Sequence, residues 1–243
     1  MIPGFIAVEH SGGGGKADQY FLRGFDADHG TDVAFFVDDM PINLRTHRHG
    51  QGYTDLSFII PETIERIDVV KGTYHEEFGD FDTAGVVRFK TREVLKENVV
   101  QGVGGQFDTQ RYLLMLSPTR DKVWTLFATE GYYSNGLFEN PDRYVRINLL
   151  GKATANPTVR SEPSVTGSYY KGNWNASGGI PFRAVSDGMI DRFGSIDPSQ
   201  GEKANVRPAV YNTTMTCRPA ASFLPTPISC ITGWTSGATS LCF

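Results

Sequence analysis

Residues 19–43 read QYFLRGFDADHGTDVAFFVDDMPIN, residues 60–72 IPETIERIDVVKG and residues 77–91 EFGDFDTAGVVRFKT, and these stretches decide the fold. Short apolar runs rich in β-branched and aromatic residues alternate with Gly, Asp and Asn. That is the pattern of a small mixed sheet with tight turns. Glycine admits positive φ at such turns, and Asp and Asn side chains satisfy nearby backbone groups. In PETIE, Pro61 comes early and the carboxylates sit where a helix dipole is positive, which predicts a helix start. IERIDVV then reads as a strand, AGVVRFKT closes the domain, and TREVLKEN forms a charged connector. Arg88, inside an otherwise apolar strand, calls for a carboxylate partner or an exposed face.

After Asn98 the texture changes. VVQGVGGQF, TQRYLLMLS, KVWTLFATEGYY, RYVRINLLGKA and PSVTGSYYKGNW alternate apolar and polar residues, separated by turns such as SPTRDK and NGLFENPD. Segments of about ten residues with this alternation are the repeated signature of transmembrane barrel strands. Tyr112, Trp124, Tyr132, Tyr133, Tyr144, Tyr169, Tyr170 and Trp174 fall mostly near segment ends, where an interfacial girdle would place them. Read alone, the same alternation also fits a soluble antiparallel sheet. Residues Gly178 to Gly201 form a long polar loop.

Composition narrows the function. A net charge of -4 and a pI near 5.7 over 243 residues lack the basic footprint of a nucleic-acid binder. No apolar run approaches the ~18 residues of a membrane helix, so any membrane crossing must use a barrel. MIPGFIAVEHSGG lacks a basic start and a long apolar core, so no signal peptide is recognisable and the chain is expected to begin late. Cys217, Cys230 and Cys242 all fall in a Ser-, Thr- and Pro-rich end without acidic residues after Glu202. An odd cysteine count leaves one thiol over. Residues 203–243 are therefore expected to be an aberrant, unstructured tail, foreign or out of frame.

The order LRGF, VDDMPIN, IERIDVVKG and FGD-x₃-AGVVRFKT resembles the plug domain of TonB-dependent outer-membrane receptors. The resemblance implies an α+β plug over 1–93, N-terminally clipped. The first antiparallel strands and a loop of an incomplete barrel would follow over 98–202. A complete barrel of that kind has about 22 strands, and even the smallest has about eight, so these strands cannot close one. The resemblance also implies transport of a scarce ligand such as a metal chelate rather than catalysis. The implied partners are an extracellular small ligand, TonB and outer-membrane lipid, with no nucleic acid and no cofactor. The implied location is the outer membrane. In the family the segment that contacts TonB precedes the plug, so this piece is not expected to transport by itself.

Counting FIAVEH, QYFLRGF and VAFFVDD as up, down and up puts SGGGG and the loop after Asn43 at one end, with DADHG at the other. The resemblance implies that the first end touches ligand. That loop carries His47, Arg48, His49, Gln51 and Tyr53, and His10 and Gly13 lie at the glycine turn. Imidazoles two apart in an extended chain share a face, so His47 and His49 can begin a metal or metal-chelate site. Arg48 suits a carboxylate or phosphate. The plain alternative is a solvated polar loop. Arg23 and Lys71, in LRG and VKG, match family positions whose cations seat the plug against barrel-wall glutamates. The sequence departs from the family's commonest pattern at Thr73, where Pro is usual, and at Arg88, where Asn is usual. GGGGK fails as a phosphate loop because His10 and Ala17 replace the required Gly and Ser/Thr. Asp26, Asp28 and Asp32 miss calcium-loop spacing. Alternative functions are a soluble all-β ligand- or metal-binding module and, behind it, a metallohydrolase built on His47-x-His49, which lacks a second ligand pair.

Overall fold

The computed structural model describes residues 3–8, 17–26, 32–46, 50–155, 161–176, 179–197, 202–206, 209–217 and 228–231. The chain divides into two compact units. The first comprises Met1–Thr91 with Phe138–Asp142 and Ala176–Glu202, and the second the remaining residues.

The first unit holds two small sheets. Strands β1 (Phe5–Val8), β2 (Gln19–Leu22) and β3 (Phe25–Asp26) form an antiparallel three-stranded sheet. Strands β4 (Val33–Val37), β5 (Met40–Pro41), β6 (Ile64–Lys71) and β7 (Gly85–Thr91) form a mixed sheet in the order β5-β4-β7-β6, with β4 and β7 parallel. VAFFV lies at the centre because it is apolar on both faces, as an interior strand next to a parallel neighbour must be. Val33, Phe35, Val86 and Val87 are buried there, with Leu22 and Ile60 beside them in the core. The edge strand β6 carries its charges, Glu65, Arg66 and Asp68, outward. The helix start at PETIE is one 3₁₀ turn, Pro61–Thr63, closed by the Thr63 hydroxyl donating to the Ile60 carbonyl at 2.6 Å.

QYFLRGF is a hairpin rather than one strand. Arg23 and Gly24 have φ of 56° and 88°, two consecutive positive values that make a tight I′-type reversal between β2 and β3. The up–down–up count therefore gains an extra reversal. Asp38 and Asp39, at 46° and 68°, make the same kind of turn between β4 and β5. Asp38 accepts from the Thr91 amide at 2.9 Å and from its hydroxyl, tying this turn to the end of β7. Arg88 finds the carboxylate its position calls for, pairing with Asp39 and lying 5.6 Å over the Phe78 ring. Gly85 is obligatory in this packing. A Cβ there would sit 2.2 Å from the Val70 carbonyl oxygen and 3.0 Å from a Leu22 methyl.

The second unit is built on β8 (Val99–Gly104), β9 (Gln110–Leu116), β10 (Thr119–Arg120), β11 (Val123–Ser134), β12 (Tyr144–Ala155) and β13 (Ser161–Ala176), all paired antiparallel. The five alternating segments are these strands, with β10 a short addition in the SPTRDK turn. One sheet face exposes Phe127, Ile147, Leu149 and Val165, while Leu126, Ala128 and Glu130 on the other are buried. The aromatic residues split between the faces. By register Tyr112, Tyr133 and Tyr169 share the exposed apolar face, whereas Tyr132, Tyr144 and Tyr170 share the face of Glu130. Only the first three can belong to an outward girdle.

The loop after β13 contains one helical turn, α1 (Phe182–Ser186). Strand backbone then continues where the sequence predicts an unstructured tail. β14 (Glu202–Val206) pairs with β13, and β15 (Ala209–Cys217) pairs with β13 over Ser161–Tyr169 and with β16 (Ile228–Ile231). The physical reason is that a free strand edge offers a ladder of N–H and C=O groups to any backbone, whether or not its side chains alternate.

Candidate functional site

The loop between Leu44 and Tyr53 is built from its base. The Leu44 amide donates to the Tyr53 carbonyl at 2.9 Å and the Gly52 amide to the Leu44 carbonyl at 2.8 Å, closing the stem as a small antiparallel bridge. Beneath it Asn43 is buried and makes three hydrogen bonds. Its Oδ1 accepts from the Phe35 amide at 2.7 Å, and its Nδ2 donates to the Val33 and Gly52 carbonyls at 2.9 and 3.2 Å. One side-chain amide thus ties the loop stem to central strand β4. A buried carboxamide satisfied in this way holds a loop base at fixed geometry.

The far side of the stem is pinned next. Thr54, fully buried, donates to the Gly52 carbonyl at 3.2 Å, and Asp55 accepts from the Ser57 amide at 2.8 Å. Tyr20 packs 5.1 Å from Phe35. Burial, then the Asp18 and Asp55 carboxylates, push its phenol well above the ordinary value, so it stays neutral there.

Of the predicted ligand contacts, Gln51 is exposed and Tyr53 half-buried at the stem. His10, Gly13, His47, Arg48 and His49 lie outside the described residues. Among the described residues no group of three or more His, Cys, Asp or Glu side chains could hold a metal ion. Arg23 is exposed at the tip of the β2–β3 turn. Lys71 ends β6, and its Nζ donates to the Pro3 carbonyl at 2.7 Å. Neither cation is in an ion pair among the described residues.

Sequence reading missed a second cluster, on the strands of the second unit. Glu130 is fully buried. It accepts from Arg111 at 2.6 and 3.0 Å, and Arg146 Nε donates to its other oxygen at 2.9 Å. Arg146 also lies 5.0 Å over Tyr132 and 6.0 Å over Tyr144, and Tyr144 meets Trp174 edge-on at 6.1 Å. Charges this deep persist only when paired and hydrogen-bonded. The signal was an acidic residue in an alternating strand. Its partners sit on other strands, at Arg111 and Arg146, which only the register brings together. Among the described residues no helix is long and apolar enough to cross a membrane.

Residues 1–86 match the family model of the TonB-dependent receptor plug domain. Over 111 residues the chain is 32% identical to the vitamin B12 transporter BtuB of Vibrio vulnificus (strain CMCP6), covering 45% of this chain and 17% of that protein. The fold is similar to the ferric citrate transporter FecA in its unliganded form, with TM-score 0.71 at 20% identity over 90% of this chain and 34% of that one. The siderophore receptor PiuA from Acinetobacter baumannii gives 0.65 at 15% identity over 89% and 30%. The chain thus spans about a third or less of the proteins it resembles. A mixed sheet followed by antiparallel strands that close no barrel among the described residues agrees with these matches. Over residues 1–86 the chain thus matches the TonB-dependent receptor plug domain, and the antiparallel strands after it share the fold of the solved transporters.

Proposed function

We propose that this chain is part of a transporter that binds a scarce ligand outside the outer membrane and imports it with energy delivered by TonB. The ligand is read as a metal chelate, of the class that includes siderophores. The observation that carries this reading is the clamped loop. Asn43 commits three hydrogen bonds to fixing a stem whose tip sequence is THRHGQ, rich in groups that coordinate metals or pair with anions. A loop with a rigid base and a chemically loaded tip is how binding residues are commonly displayed. In this reading His47, Arg48, His49, Gln51 and Tyr53 contact the ligand, with His10 and Gly13 beside them. His47 and His49 face a metal or its chelate. The apolar face of β11–β13 meets outer-membrane lipid. Arg23 and Lys71 are the cations that seat the plug once a barrel surrounds it.

The test is titration on a purified receptor that carries this plug inside a closed barrel. Ferric citrate, cobalamin and free cupric ion serve as three probes. With both His47→Ala and His49→Ala in place, affinity for the preferred probe should fall about 10-fold or more, the scale on which groups supporting a metal site act. Equal affinity of double mutant and parent for all three probes would remove the histidines from the site. A solvated-loop role predicts that result.

A further inference from the structure

Strand β6 ends the order of the four-stranded sheet, and no described strand pairs with its outer edge. Which backbone groups face that edge follows from the neighbouring strands. The Asp38 amide donates to the Phe89 carbonyl at 2.9 Å, so Phe89 turns its backbone groups toward β4. Ile67, opposite Phe89 in the β6–β7 ladder, therefore turns its own N–H and C=O away from β7 and outward. Val69 does the same two residues on. The edge is open to solvent here: Ile67 is 47% exposed, and the side chains of Arg66 and Asp68 are 66% and 43% exposed.

An open strand edge is a template for another strand, and proteins usually guard it with proline or with charges of one sign. β6 has no proline, and its central charges are of opposite sign. Arg66 and Asp68 flank Ile67 on one face, with the guanidinium Nε donating to the carboxylate at 2.9 Å. That arrangement is self-complementary. In an antiparallel pair with Ile67 opposite Ile67 of a second copy, Arg66 of each copy lies opposite Asp68 of the other. These are the non-hydrogen-bonded positions, where facing side chains come closest. The smallest slip that keeps outward groups facing each other is two residues. It puts Arg66 on Arg66 in one direction and Asp68 on Asp68 in the other, and like charges directly opposite are destabilising. The second slip would also bring Glu65 to Lys71, whose ammonium is already committed to the Pro3 carbonyl.

We propose that the outer edge of β6 is a homotypic docking edge. Two copies of this chain join antiparallel about a two-fold axis at Ile67, merging their four-stranded sheets into one continuous sheet. Ile67 of each copy exchanges both backbone hydrogen bonds with Ile67 of the other. Glu65 and Val69 add rungs on either side, and Arg66 and Asp68 of the two copies close a square of alternating charge on one face. A closed barrel around the first unit would leave no room for a second copy, so this pairing and enclosure of the plug exclude one another.

The test is sedimentation of the full chain in detergent across a range of concentrations. The parent should show a monomer–dimer equilibrium. Arg66→Asp alone sets carboxylates against carboxylates, and Asp68→Arg alone sets guanidiniums against guanidiniums. Each should weaken dimerisation by about 10-fold or more. An equimolar mixture of the two variants should restore it, because each then meets its opposite charge. Ile67→Pro removes an outward N–H without removing a rung to β7, so it should abolish the dimer and leave the circular dichroism unchanged. A parent that stays monomeric at every concentration, single variants that associate as the parent does, or a mixture no tighter than its components would each overturn the proposal. So would a proline variant that still dimerises, which would assign the association to another surface such as the apolar face of β11–β13.

Discussion

Asn43 shows how one side chain can set a site. Three hydrogen bonds leave its carboxamide to two residues of β4 and to Gly52, so the stem of the 44–53 loop inherits the rigidity of the central strand. Truncation would strand the Phe35 amide and two carbonyls in a place water does not reach. Asn43→Ala should therefore lower the stability of the first unit by about 2–3 kcal/mol, the cost of buried polar groups left unsatisfied. Urea denaturation followed by Tyr20 and Phe35 environment-sensitive probes checks the number. Asn43→Asp should not rescue it, because a carboxylate would face the Val33 and Gly52 carbonyls. A midpoint equal to the parent's in the alanine variant would mean the stem holds itself. Nothing in the string VDDMPIN distinguishes this Asn from an ordinary turn residue. Its role exists only because residues 33, 35 and 52 arrive around it.

At the scale of elements, the sheet of the second unit carries its polar cluster across three strands. Arg111 on β9, Glu130 on β11 and Arg146 on β12 meet because Tyr132 is opposite both Arg111 and Arg146, which places the two guanidiniums on either side of the Glu130 carboxylate. Replacing Glu130 by Gln removes the charge both guanidiniums answer to and keeps the volume. The variant should lose about 3–5 kcal/mol, the typical cost of breaking a buried pair from one side. The loss should show as a lower unfolding midpoint monitored by β-sheet circular dichroism, with Glu130→Asp intermediate. A fall smaller than that of an exposed-face change such as Thr129→Ala would show that the arginines find other partners. The aromatic residues near the strand ends carry the same lesson. Their positions along the strands are visible in sequence, yet Tyr132, Tyr144, Tyr170 and Trp174 share the face of Glu130 because registry, not nearness to an end, assigns the face.

For the whole molecule, the exposed apolar band on β11, β12 and β13 is the feature that ordinary aqueous packing does not explain. Phe127, Ile147, Leu149 and Val165 form a contiguous surface of the kind that meets lipid or a partner. If lipid covers it, Ile147→Arg should destabilise the folded chain in bilayers by about 2–4 kcal/mol near the midplane. The same substitution in a water-soluble sheet would cost little. Denaturation from vesicles compared with detergent gives the reading, and equal tolerance in both would point to a protein partner instead.

Much of this protein follows from local sequence. Apolar runs with Gly, Asp and Asn punctuation determined the plug strands. Alternation determined the five longer strands from Val99 to Ala176. Arg88 calls for a carboxylate or an exposed face because an isolated charge in an apolar strand has few physical outcomes. Other features required the folded chain. Arg23–Gly24 became a reversal, Asn43 a clamp, Glu130 a buried junction and Lys71 a tie to Pro3, and strand pairing ran on past residue 203. Local pattern fixes where a strand runs and which residues alternate, because both depend on neighbours in the chain. Which strand lies beside it, in what register, and which face is buried depend on backbone bonds between distant residues. Those bonds exist only once the sheets have formed.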